Sequence, residues 1–321
     1  MADVIEVGAA RGDAPPPAAG TSRRGTSPGR AGRATPYLFL APYLILFGVF
    51  GLLPIVLGGW LSVHQWDFQL PNRPFVGLAN YRDLFSSDSA IHADWWAAVR
   101  ATAVFTVLSV PLLVIVPLGL ALLLNRSFPG RTLFRAVYFA PYVLGVAVIG
   151  LLWRFLLDAN LGLVNRLAAM AGLPPDTPWL TALPWAWISL VGVTVWWTSG
   201  FNAVIYLAGL QDISAELYEA AKVDGATAWE RFRHVTLPGL RPVLLFVITT
   251  TVLASANMFG QSFLITQGAP GTETRTVVWF IVEEGLRDND AGRAAAMSIV
   301  FALMLAVASI ANFRLFRYRE D

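Results

Sequence analysis

Six long apolar stretches set the frame of this chain, at about 37–63, 98–124, 134–157, 183–210, 243–265 and 291–313. Each is as long as the roughly 20 predominantly apolar residues a helix needs to cross a bilayer. Pro54, Pro111, Pro117 and Pro141 fall inside them, and membrane helices tolerate such residues better than soluble ones do. The pattern predicts an all-α integral membrane protein with six transmembrane helices. Residues 1–35 carry a Pro15-Pro16-Pro17 run, several Gly and Ser, and five arginines. They offer little to bury and read as a disordered tail. This stretch is too long and polar for the start of a signal peptide.

Composition narrows the picture. Hydrophobic residues make up 56% of the 321 and charged residues only 14%, against about 25% in a soluble domain. An ordinary soluble enzyme is excluded. With no cysteine, disulfides and thiolate metal sites are excluded too. His64, His92 and His234 show no ligand spacing, and no nucleophile–base pair falls within the apolar stretches. No catalytic or metal site is expected. The net charge of +2 gives no reason to expect a nucleic-acid partner. Lys222 is the single lysine and lies in Glu219-Ala220-Ala221-Lys222-Val223. A phosphate-binding Gly-x4-Gly-Lys-Ser/Thr loop is therefore impossible in this sequence.

Basic residues set the expected orientation. With the N-terminus inside, fifteen of the 23 basic residues fall on inner segments. Both termini are then cytoplasmic, including 314–321. The outer segments are 64–97, 158–182 and 266–290. The largest inner segment, 211–242, is too polar for lipid and has helix grammar. Asp212 or Ser214 can cap a short helix with Leu217, Ala220 and Ala221 on one face. Asp224-Gly225 stops it. Thr227-x-x-Glu230 is a capping-box pattern for a second helix. Pro238 and Pro242 mark the return to the membrane.

Glu219-Ala220-Ala221, three residues, Gly225, nine residues, then Val235-x-Leu237-Pro238 resembles the EAA loop of ABC importer permeases. Other segments are similar to permeases of the maltose and glycerol-3-phosphate type: Phe75-Val-Gly-Leu-Ala-Asn80-Tyr81, Asn125-Arg126 with Gly130-Arg131, Gly162-Leu-Val-Asn165, and Thr266-Gln-Gly268-Ala269-Pro270. Ala269 stands where the family usually has Gly. The resemblance implies a type-1 ABC importer (MetI-like) transmembrane domain over 94–313, with the first span and outer loop, 36–93, added outside it. It implies that the loop couples to an ATPase subunit through Glu219, Ala220, Ala221, Gly225, Leu237 and Pro238. It also implies a second permease subunit in a heterodimer, two ATPase subunits that use ATP and Mg²⁺, an extracytoplasmic solute-binding lipoprotein, and a carbohydrate substrate. No cofactor is expected on this chain itself.

Polar positions inside apolar stretches are expensive in lipid and usually face a bundle interior. Thr194, Trp197, Thr198 and Phe201 share one helical face at i, i+3, i+4, i+7. Thr251, Ser255, Met258 and Ser262 form another, with Asn257 and Gln261 along its edge. Hydroxyls, amides and flat rings suit a sugar, and the family resemblance places the substrate path there. Helix packing by Ser and Thr is the competing reading. A secondary transporter driven by an ion gradient is the rival function. Such proteins usually carry ionisable residues near the midplane, and these stretches hold no Asp or Glu there.

Overall fold

The computed structural model describes residues 30–172 and 174–317. The remainder of the expected tail, 1–29, and the last residues, 318–321, lie outside the described residues. The first helix begins at Arg30, inside the stretch read as tail.

By internal packing the chain divides after Pro54. In the first unit, α1 (Arg30–Phe47) runs into a π-helical turn, Gly48–Leu52. α2 (Leu53–Ser62) continues the apolar run across the boundary. The second unit holds α3 (Ala79–Phe85), α4 (Ala90–Asn125), α5 (Arg131–Val143), α6 (Val146–Leu156) and α7 (Leu163–Met170). It continues with α8 (Trp185–Asp212), α9 (Ala215–Val223), α10 (Ala228–Arg231), α11 (Leu237–Gly239) and α12 (Arg241–Ala256). α13 (Val277–Val282) and α14 (Ala291–Arg317) complete it. Among the described residues the only strand-like pairings are two isolated bridges, His64 with Phe75 and Asp67 with Asp290.

Four segments are long and apolar enough to cross a membrane: Phe39–Ser62, Ala90–Asn125, Trp185–Asp212 and Ala291–Asn312. The expected third and fifth spans are not single helices. α5 and α6 meet at 97° across Leu144-Gly145. Pro141 ends the regular helix there, since it cannot donate to the Val137 carbonyl. α12 leaves the inner loop at a 70° bend and stops at Ala256. Residues 257–259 are non-helical, and a π-helical turn, Ser262–Thr266, follows. The even spacing predicted through 243–265 is therefore broken at Asn257.

α4 is the spine of the second unit, packed against α8 and α12. Ala121, Tyr206, Leu207, Leu240 and Val247 form the core at the end nearest the 211–242 loop. Phe105, Ile149, Trp187, Leu190, Met258 and Ile265 form another around α6. Trp95, Val277, Phe280 and Met297 tie α4 to α13 and α14. α5 crosses α8 at Gly200, where a Cβ would collide with the backbone of Tyr138 and Phe139. In membranes small residues at crossings allow such close packing.

Proline inside α4 creates a specific need. Pro117 has no N–H, so the Leu113 carbonyl loses its normal i+4 donor. The Asn202 amide of α8 donates to that carbonyl at 3.2 Å. Asn202→Leu should leave the carbonyl unpartnered and lower stability by about 1 kcal/mol. Thermal unfolding in detergent, followed by tryptophan fluorescence, reads this directly, and an unchanged transition would refute the assignment.

Two further motifs from the sequence are structural ties. Asn80 donates to the Ser62 and His64 carbonyls at 2.9 and 3.0 Å. Asn165 donates to Ala159 and Thr177 carbonyls and accepts from the Trp179 indole at 2.7 Å. The 266–276 loop folds back onto the bundle. Ser262 donates to the Thr274 carbonyl, Thr276 to the Met258 carbonyl at 2.6 Å, and the Val277 amide to the Thr102 hydroxyl at 2.9 Å. Arg100 donates from one guanidinium nitrogen to both carboxylate oxygens of Glu273, and Arg275 bridges Asp94 and Glu283.

Candidate functional site: a neutral cavity and an inner loop

The break in the fifth span opens a cavity of about 410 Å³, within the range of small-molecule sites, roughly 300–1,000 Å³. Nine of the ten residues on the two predicted faces and their edge line it: Thr194, Trp197, Thr198 and Phe201 from α8, Thr251 and Ser255 from α12, and Asn257, Met258 and Gln261 from the break. Ser262, on the same predicted face, does not. It is buried and turned to the Thr274 carbonyl, because the register slips at the break.

The structure adds Phe105, Tyr142, Asn202 and Phe259 to the lining. Tyr142 and Phe201 stack with centroids 4.7 Å apart and planes 15° from parallel. The Trp197 indole donates to the Leu144 carbonyl at 3.1 Å, pinning the α5–α6 bend to α8. Among the described residues no Asp, Glu, Lys, Arg or His lines this cavity.

Hydrogen-bond capacity differs along the wall. Thr194 and Thr198 donate to the carbonyls four residues back, at 2.7 and 2.8 Å. Their oxygens remain free to accept. Asn257 donates to the Leu253 carbonyl at 2.8 Å, leaving its own carbonyl free. Ser255 is buried and shares a 3.1 Å bond with Ser109 of α4, so it also ties two helices together.

The inner loop forms as its sequence grammar predicts. Ser214, rather than Asp212, caps α9 by accepting from the Glu216 amide at 3.2 Å. Gly225 adopts φ +77°. Its amide donates to Lys222, and the Ala226 amide donates to Ala221, which together form a Schellman stop. Thr227 and Glu230 form a complete capping box. Glu230 accepts from the Thr227 amide and hydroxyl at 2.7 and 2.8 Å, and these bonds hold its pKa below the ordinary carboxylate value. The cap is therefore intact above that ordinary value and is lost as pH falls through the lowered one.

Leu217, expected on an apolar face with Ala220 and Ala221, is exposed, as are Glu219 and Ala220. Tyr218 turns inward instead and shares a 2.9 Å hydrogen bond with Thr236. Leu237 and Pro238 form the short α11 just before the bend into α12.

Helices long and apolar enough to span a membrane, with an uncharged cavity where two of the spans are broken, form a layout that suits transport. Residues 103–319 match the family described as binding-protein-dependent transport system inner membrane component, and the chain belongs to that family. It is 32% identical over 285 residues to the trehalose/maltose transport system permease protein MalF of Thermococcus litoralis, covering 89% of this chain and 94% of that one. It is 33% identical over 289 residues to the arabinooligosaccharides transport system permease protein AraP of Bacillus subtilis, covering 88% of each. A solved bacterial alginate ABC transporter, in complex with an alginate pentasaccharide-bound periplasmic protein, has a chain of the same fold. The TM-score is 0.77 at 24% identity, over 89% of this chain and 95% of that one. The protein is thus a multi-pass permease subunit of an ATP-driven ABC importer, and the ion-gradient alternative is set aside.

Proposed function

We propose that this chain carries a carbohydrate across the cytoplasmic membrane through the 410 Å³ cavity. One observation supports this most: eight polar or aromatic positions chosen from sequence, with Met258, converge on a single uncharged cavity. Flat rings such as the Tyr142–Phe201 stack can meet the apolar face of a pyranose, and the hydroxyls and amides can meet its edge. Neutral hydrogen bonds are worth only about 0.5–1.5 kcal/mol net each, which suits a substrate that must be released again. The relatives named for trehalose/maltose and arabinooligosaccharides agree with a neutral sugar.

In this reading the chain pairs with a different permease subunit and receives sugar from an extracytoplasmic binding protein. Its 211–242 loop docks on one of two ATPase subunits, through Glu219, Ala220, Ala221, Gly225, Leu237 and Pro238. ATP and Mg²⁺ are held by those subunits, and this chain catalyses no reaction. Both termini lie in the cytoplasm.

The function is tested by reconstituting the importer in liposomes with its binding protein. Neutral oligosaccharides should be taken up with ATP and should stimulate hydrolysis. Uptake of acidic sugars alone would overturn the reading.

Orientation has its own test. The chain has no cysteine, so the labelling background is clean. Ser87 and Val223 are both exposed. In sealed cells expressing the permease without its ATPase, Ser87→Cys should react with an impermeant thiol reagent and Val223→Cys should not. Labelling at 223 would reverse the topology.

A further inference from the structure

The inner end of the second unit carries another cavity, of about 600 Å³. One wall is where two spanning helices leave the bilayer: α4 ends at Asn125 and α8 at Asp212. The opposite wall is the inner loop. Arg126, Lys222 and Arg231 all line the cavity, with Asn125 and Tyr218 beside them. Among the described residues no acidic side chain lines it.

The charge pattern of the chain makes these cations unusual. All six ion pairs among the described residues join segments of the outer side, and none includes Arg126, Lys222 or Arg231. Acidic residues are plentiful in the loop, but among the described residues none lines the cavity. Glu230 is held by its capping box. On α9, Tyr218 and Lys222 lie one turn apart and both line the cavity, whereas Glu216 and Glu219 do not. Three like charges lining one cavity favour an anion there.

We propose that this cavity binds the phosphodiester headgroup of an anionic glycerophospholipid from the inner leaflet. Arginine guanidinium groups match phosphate oxygens in a fork geometry. Basic pockets between spanning helices on the cytoplasmic side are suited to anionic headgroups. Leu122, Leu210 and Phe232 supply apolar wall for the glycerol and the first methylenes. The headgroup sits between the bundle and the loop, against Tyr218 and Lys222 of α9, and braces the loop from that side. The proposal rests on the inner placement of 211–242 and is independent of which solute is carried.

Native mass spectrometry of the full importer, titrated with phosphatidylglycerol or phosphatidylcholine, tests it. The wild type should retain phosphatidylglycerol preferentially. Each basic group near an anionic lipid contributes roughly fivefold in affinity. Arg126→Gln with Arg231→Gln should therefore weaken phosphatidylglycerol binding roughly twenty-fivefold and leave phosphatidylcholine adducts unchanged. If the double variant does not assemble, Arg126→Gln alone lies between helices and should give roughly fivefold. Equal retention of the two lipids, or unchanged phosphatidylglycerol affinity in the variants, would overturn the site. So would loss of the lipid when ATPase subunits are added to the permease pair, which would assign the cavity to a partner carboxylate. Displacement by millimolar inorganic phosphate would place the source in free phosphate and overturn the lipid assignment. Persistence of the adduct supports it.

Discussion

Replacing Gly225 with Pro should abolish solute uptake while leaving the chain in the membrane at normal abundance. Gly225 sits at φ +77°, where proline, fixed near −65°, cannot follow. Proline would also delete the amide that donates to Lys222. The Schellman stop would be lost, and with it the angle between α9 and α10. A Cβ at this position would meet open space, so the effect is conformational and not a clash in the core. Loop-borne ATPase docking predicts that uptake in a strain relying on this importer falls to background. Glu219→Lys tests the same surface by charge. Its side chain is exposed and makes no ion pair among the described residues, so folding should be untouched while docking fails. Normal uptake by both variants, with surface-labelled protein present, would remove the coupling role from 211–242.

The inner loop was legible because its signals are local. A cap, a left-handed glycine and a capping box each depend on three or four neighbouring residues, and each formed where the sequence put it. The apolar lengths gave the spans for the same reason. The broken third and fifth spans were harder to read. Pro141 hinted at the first break. At Asn257 no proline or glycine precedes the stop, and Gly260 follows it. The break is held from afar, by Thr276 on the Met258 carbonyl and by the 266–276 loop folding back. Helical periodicity therefore placed Thr251, Ser255 and Met258 on the cavity but also pointed Ser262 there. Asn202 could have been found, since it continues the Thr194–Thr198 spacing by one more turn and answers Pro117 on α4. Tyr142 could not, because it reaches the cavity only through the 97° bend between α5 and α6. The cationic inner cavity was likewise invisible, as Arg126 lies about a hundred residues from Arg231.

Thr198→Leu should reduce uptake about tenfold or more and Asn257→Ala up to about tenfold, with assembly and basal ATP hydrolysis unchanged. Both side chains line the cavity from elements that do not carry the inner loop's docking surface. Thr198 satisfies its own hydrogen through the Thr194 carbonyl, so its oxygen is an acceptor aimed at the cavity. Leucine removes that acceptor and fills the space with branched hydrocarbon. Losing one neutral hydrogen bond is worth about 0.5–1.5 kcal/mol, up to roughly tenfold in rate, and the added bulk accounts for the excess. Asn257 sits at the open end of α12 with its carbonyl free. Alanine there deletes a polar group without creating a core void, since the residue is exposed. Ser255→Ala makes the discriminating control. Its hydroxyl is buried against Ser109, between α12 and α4, so its loss should lower thermal stability more than it lowers uptake. If Thr198→Leu and Asn257→Ala transport at the wild-type rate while only their melting transitions shift, these faces pack helices and the path lies elsewhere. If uptake falls and the transitions stay in place, the cavity at the broken span is the route the solute takes.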